Sequence, residues 1–113
     1  MKIVIEGAGE VGSHLAKMLS SEAKDITVID SDESRLNKLA MTANVVTLAG
    51  KVSSIKMLKS AGVSHADLFI AVNPASSQDV NVVSALLAKK LGCPKVCARI
   101  NDEEDLSYEN KYL

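Results

Sequence analysis

A chain of 113 residues, 47% apolar and 24% charged, is long enough to bury one core and too short for two. Its net charge of −1 excludes the basic footprint of a nucleic-acid or anionic-membrane binder. No apolar run reaches the roughly 18 to 20 residues of a membrane span, and no signal-peptide layout precedes the first strand-like segment, so a soluble, cytoplasmic domain is expected.

The predicted elements alternate from the start. Residues 2–6, KIVIE, read as a strand, and 11–22 as a helix with Val11, Leu15, Met18 and Leu19 along one face. ITVID, 26–30, is a second strand, followed by a helix over 33–42 with Ser31 or Asp32 as N-cap and Leu36, Leu39 and Ala40 turned inward. NVVTL, 44–48, is a third strand, and a short helix over 54–60 opens at Ser53 and stops at Gly62. LFIAV, 68–72, is a fourth. A helix from about 78 to 91 begins after Ser76 and Ser77 and ends at GCP, with glycine at the C-terminal cap and proline just beyond. KVCARI, 95–100, is a fifth strand.

Short, β-branched strands that are apolar on both faces belong to parallel sheets covered by helices on both sides. The alternation therefore predicts an α/β fold, a doubly wound Rossmann-like parallel sheet of order 3-2-1-4-5. The acidic run 102–105 reads either as the opening of a helix or as a solvated turn. The chain stops where a further helix and a sixth strand would follow, so residues 1–113 are expected to be one nucleotide-binding domain of a longer protein.

The first strand runs into GAGEVG, residues 7–12, a G-x-G-x-x-G loop that follows a strand and opens a helix; the second strand ends in Asp30. Gly7 is expected to make the tight turn, Gly9 to let a pyrophosphate approach the backbone, and Gly12 to let helix and sheet pack closely. The helix N-terminus supplies free N–H groups and partial positive charge for phosphate. Asp30 would accept hydrogen bonds from the adenosine ribose. A 2′-phosphate there would meet Asp30, Asp32 and Glu33 with only Arg35 to offset them, so NAD(H) is favoured over NADP(H). Glu6 at the strand end is free to turn to solvent or to a neighbouring element. Glu10 is expected to project outward, where its charge disfavours a terminal phosphate and tilts the choice from ATP toward NAD(H).

The segments MKIVIEGAGEVGSHLAKMLSSEAKDITVIDSDESRLNKL, LKSAGVSHADLFIAV, DVNVVSALLAKKLG and ARI together resemble the NAD-binding N-terminal domain of Trk-type potassium uptake regulators, the TrkA family, also called RCK or KTN domains. The resemblance covers nearly all of residues 1–104 and is most specific at Asp30–Leu36 and Ala61–Asp67. It implies nucleotide contacts from Gly7, Ala8, Gly9, Glu10 and Val11, from Asp30 and Arg35, from Ala49 and Gly50 after the third strand, from Asn73 and Pro74 after the fourth, and from Arg99. It also implies NAD(H), or ATP/ADP, as ligand, a dimer or larger homo-oligomer with an apolar face on the later helices, and a potassium-translocating membrane subunit as partner. The domain would then sit at the inner face of the plasma membrane through that partner. Two departures weaken the carry-over for the middle of the cofactor: Lys51 stands where the family commonly has aspartate, and the loop NPASSQDVN carries Asn73 where a threonine is usual.

The reaction half of an enzyme is missing from the pattern. His14 lies on the first helix, on the wrong side for a nicotinamide, and His65 far from the strands' carboxyl ends; both read as surface or packing residues. The serine pairs 53/54 and 76/77 begin helices, where capping explains them. Cys93 and Cys97 lack C-x-x-C spacing and read as reduced, at least partly buried small hydrophobes. No Ser-His-Asp set, metal cluster or Walker lysine appears. A nucleotide sensor without catalytic residues is the reading favoured over the cofactor domain of an NAD-dependent oxidoreductase, or over an assembly surface that binds no nucleotide.

Overall fold

The computed structural model describes residues 1–22 and 24–100, and the acidic run 102–105 lies outside them. Five strands form one sheet: β1 (Lys2–Glu6), β2 (Asp25–Asp30), β3 (Val46–Ala49), β4 (Leu68–Ala71) and β5 (Lys95–Ala98), in the order β3-β2-β1-β4-β5, as the alternation predicts. Every pairing is parallel. The helices are α1 (Glu10–Ser20), α2 (Glu33–Ala40), α3 (Ile55–Ser60) and α4 (Gln78–Lys90), with single 3-10 turns at Val63–His65 and Ala75–Ser77.

Alternation along each strand divides the core in two. Ile3 and Ile5 of β1, with Ile26 and Val28 of β2, pack under Ala16 of α1 and Leu36 and Leu39 of α2. Val4, Ile29 and Phe69 face the other way, onto Leu58 of α3 and Ala85 and Ala88 of α4. Only the central strands are buried on both faces; β3 and β5, at the edges, keep exposed positions. That corrects the reading of Cys97, which is exposed on β5, whereas Cys93 is buried and its thiol pKa is pushed up by burial.

The helix ends follow local chemistry. Asp32 caps α2, its carboxylate accepting from the amides of Ser34 and Arg35 at 3.0 and 3.4 Å. At the end of α4, the amides of Gly92 and Cys93 donate to the carbonyls of Lys89 and Ala88, a Schellman closure for which Gly92 takes φ +115°. Several boundaries differ from expectation: α1 and α2 end two residues early, at Ser20 and Ala40, and β5 ends at Ala98 instead of residue 100. β3 starts two residues late because its register pairs Val46 with Thr27 and Ala49 with Asp30. The cap of α3 is Ser54, whose hydroxyl accepts from the Met57 amide, and Ser53 is displaced into the left-handed region at φ +62°. At α4 the serines make no side-chain cap; the 3-10 turn leads into the helix instead.

Candidate nucleotide-binding site

The sheet's register puts Glu6, Ala71 and Ala98 in one row at the carboxyl ends of the strands, with the pair Asp30 and Ala49 one residue further on. A crevice in a doubly wound sheet opens there, where the strand order reverses between β1 and β4. The glycine loop lies across it. Gly7 turns at φ +111° with its amide donating to Ile29 O at 2.8 Å, and a Cβ there would lie 2.9 Å from Asn73 N and Val72 C. A Cβ on Gly12 would lie 1.7 Å from the Gly7 carbonyl oxygen. Gly9 differs from both: an ideal Cβ meets nothing within 4 Å, and its backbone is extended at φ −75°, a conformation open to any residue.

Asp30 is 4% exposed and closes the loop from below. Its Oδ2 accepts from the Ala8 amide at 2.7 Å and its Oδ1 from the Asp32 amide at 2.7 Å, while its own carbonyl accepts from Gly50 N at 3.1 Å. Each carboxylate oxygen keeps a second lone pair for an outside donor. The geometry thus ties Asp30 to the shape of the loop, a role the sequence alone did not suggest.

A crevice of about 250 Å³ runs between loop and sheet, lined by Gly9, Glu10, Val11, Arg35, Val72, Pro74 and Arg99. It brings six of the expected contact residues together. A wider cleft of about 790 Å³ continues along α1 past Ala8, His14 and Lys17, again with Arg35 on its wall. Arg35 is half exposed and holds Asp32 Oδ2 at 3.6 Å, so it can swing to a bound anion at little cost. The Ser34 hydroxyl, with the Ser34 and Arg35 amides and the Arg35 charge, holds Asp32 below the usual carboxylate range. Ala49 and Gly50 sit beside Asp30 through the β2–β3 register, away from this crevice. Asn73 is buried, and its side chain points under the crevice instead of into it.

Sequence reasoning missed what lies beneath. Glu6 is fully buried. Its Oε1 accepts from Asn73 Nδ2 at 2.7 Å and Ser84 Oγ at 2.9 Å, and its Oε2 from the Ser53 amide at 3.4 Å. Asn81 extends the network, accepting from the Asn73 amide and Nδ2 and donating to the carbonyls of Asn73 and Arg99. Burial pushes the Glu6 carboxyl above its ordinary pKa, the bonds from Ser84, Asn73 and Ser53 pull it back, and the Asp30 charge adds to the rise. Strand alternation, which puts residue 6 on the side of Val4 toward α4, was the available signal.

The family model of the TrkA-N domain matches residues 3–112. The chain belongs to the TrkA-N family. A relative named Trk system potassium uptake protein TrkA homolog, from Archaeoglobus fulgidus, is 41% identical over 104 residues, covering 92% of this chain and 23% of its own. The chain spans about a quarter to a half of the length of the curated TrkA relatives it matches. Among solved structures, the C-terminal domain of Kef from Shewanella denitrificans in its AMP-bound form superposes with a TM-score of 0.72 at 20% identity, over 99% of this chain and 67% of that one. A short-chain dehydrogenase/reductase from Serratia marcescens reaches 0.62 at 18% identity, over 80% of this chain and 48% of its own. At such identities these two show the shared fold alone. TrkA-N is a Rossmann-type nucleotide-binding domain of potassium uptake systems, and the five-stranded sheet described above is that fold. Among the described residues no helix is long and apolar enough to cross a membrane, and no group of three His, Cys, Asp or Glu side chains could hold a metal ion.

Proposed function

We propose that this chain is a regulatory TrkA-N domain that binds NAD(H), with ATP or ADP as competing ligands, and couples occupancy to the gating of a potassium-translocating membrane subunit. The observation that carries the nucleotide half is Gly9. The fold needs glycine at 7 for the turn and at 12 for packing, whereas at 9 neither space nor backbone angle requires it. A group approaching from outside supplies the reason, and a pyrophosphate over the α1 N-terminus is that group. The carboxylates around Asp30 and Glu10 favour a dinucleotide over a ligand with an additional phosphate. The curated TrkA relatives support the transport half. The domain would act at the inner face of the membrane through its partner.

Gly9→Ala is the direct test. Its stability should stay within about 0.5 kcal/mol of wild type, because the methyl group enters open space. NADH affinity, read by titration calorimetry, should fall at least about tenfold, a loss of ~1.4 kcal/mol. Unchanged affinity would remove the main support for this reading. The oxidoreductase alternative is answered by turnover: NAD-linked oxidation of a small substrate by the longer protein would replace the regulator.

Assembly has its own observation. The buried face of α4 carries Asn81, Ser84, Ala85 and Ala88, and its outer face exposes Val82, Val83 and Leu86, the last at 65%. Leu86→Glu should turn a homodimer or larger oligomer into monomer in sedimentation. An oligomer that persists in this variant would rule that face out as the contact.

A further inference from the structure

We infer that Glu6 is a positioning residue for the nucleotide crevice, holding from beneath the loop after β4, whose Pro74 lines the crevice, together with the loop after β3, which runs from beside Asp30 and does not line it. The inference rests on the nucleotide reading above, since those loops matter only if the crevice is filled. Glu6 stands where strand alternation calls for an apolar side chain against α4, and a buried carboxylate is costly unless its bonds compensate. All three of its partners donate, and two of them belong to the loops: the Ser53 amide and the Asn73 side chain.

The Ser53 contact matters because Ser53 is the one non-glycine residue described with positive φ, at +62°. Such a conformation persists only where its surroundings impose it. Its amide has the Glu6 carboxylate as acceptor, which fixes the turn between Gly50, bonded to the Asp30 carbonyl, and the α3 cap at Ser54. On the other side, Asn73 is oriented by Glu6 and Asn81 together, and Pro74 on the crevice wall follows directly from it. Asn81 also accepts from the Asn73 amide and donates to the Arg99 carbonyl, so the backbones that follow β4 and β5 along the crevice share one buried anchor. Beneath an empty crevice this arrangement has no packing advantage over an apolar residue; beneath a ligand it defines where the walls stand.

Glu6→Gln tests it. A glutamine amide has one acceptor oxygen, so its NH2 must face either the Ser53 amide or Asn73 Nδ2, and the Asn73 amide cannot turn over without breaking the bond from its Nδ2 to Asn81 Oδ1. The expected result is a displaced Ser53 amide resonance with faster hydrogen exchange over residues 50–54, and NADH affinity down about tenfold. Ser84→Ala is the control: it removes a bond to the same carboxylate from the α4 side and leaves both loops held, so its NADH affinity should stay within about twofold of wild type. Wild-type affinity in Glu6→Gln, or equal loss in both variants, would overturn the positioning role. Should Glu6→Gln not fold, wild type answers: NADH must raise amide protection at Ser53 and Asn73, and unchanged protection refutes the inference. A wild-type chain that binds neither NADH nor ADP fails at the nucleotide reading itself, and the positioning role falls with it.

Discussion

Gly12→Ala is expected to destabilise the domain by about 3 kcal/mol or more, a large share of the roughly 5–15 kcal/mol that a domain of this size has. The added methyl would lie 1.7 Å from the Gly7 carbonyl oxygen and 2.8 Å from its carbon. Both are backbone atoms, so no side chain can yield by changing rotamer. Relief requires α1 to move off the sheet, and with it Ala16, which is fully buried against Ile3, Ile5 and Val28. Alternatively the Gly7 turn must open and break the bond from its amide to Ile29 O. Denaturant unfolding of Gly12→Ala beside Gly9→Ala measures the contrast. Gly12 lies in the first turn of α1 and Gly9 is its N-cap, so helix propensity alone would make Gly12→Ala the more stable of the two. A Gly12→Ala midpoint close to that of Gly9→Ala would show that the loop is looser than its contacts imply.

The fold was legible because strand and helix periods differ and the turns carry distinct chemistry. β1, β2 and β4 were located to within a residue at each end, since their apolar runs are bounded by loops that cannot extend them. β3 was less legible. It is an edge strand, partly exposed, and the apolar residues of NVVTL do not reveal that pairing with β2 sets the register at Val46. The same edge position explains Cys97, whose strand has only one face to bury.

At the candidate site, Gly7 and Gly12 could be read because each has a local backbone reason, the turn at one and close packing at the other. The roles of Glu6 and Asn73 could not. Their partners lie 47, 67 and 78 residues from Glu6 along the chain, at Ser53, Asn73 and Ser84, and only the folded sheet brings them to one point. Glu6 drew notice as an acid beside a phosphate-binding loop, and the structure turns it away from that loop, toward α4. The charge question it raised is thereby answered by direction: both carboxylate oxygens are turned to Asn73, Ser84 and the Ser53 amide, and none of the loop's amides bonds to it.

Asp30→Ala is expected to lower NADH affinity at least about tenfold and, in the absence of ligand, stability by about 1–3 kcal/mol. A reading of Asp30 as a ribose acceptor alone predicts loss of affinity with little effect on folding. The structure adds the second effect, because the Ala8 amide is buried and the Asp30 carboxylate is its partner at 2.7 Å. Alanine leaves that N–H unpaired at the point where the glycine loop crosses the sheet. The two effects separate through a third measurement, the preference for NADH over NADPH. In wild type the 2′-phosphate must approach a carboxylate that is nearly buried and therefore weakly screened, whereas Arg35 is half exposed and shared with Asp32. Removing Asp30 removes that repulsion and leaves Arg35 in place, so discrimination should shrink even as both affinities fall. A loop merely loosened would weaken both ligands alike and keep their ratio. A ratio unchanged by Asp30→Ala, together with a lost Ala8 bond, would make Asp30 a scaffold for the loop and move the choice of dinucleotide to Asp32 and Glu33.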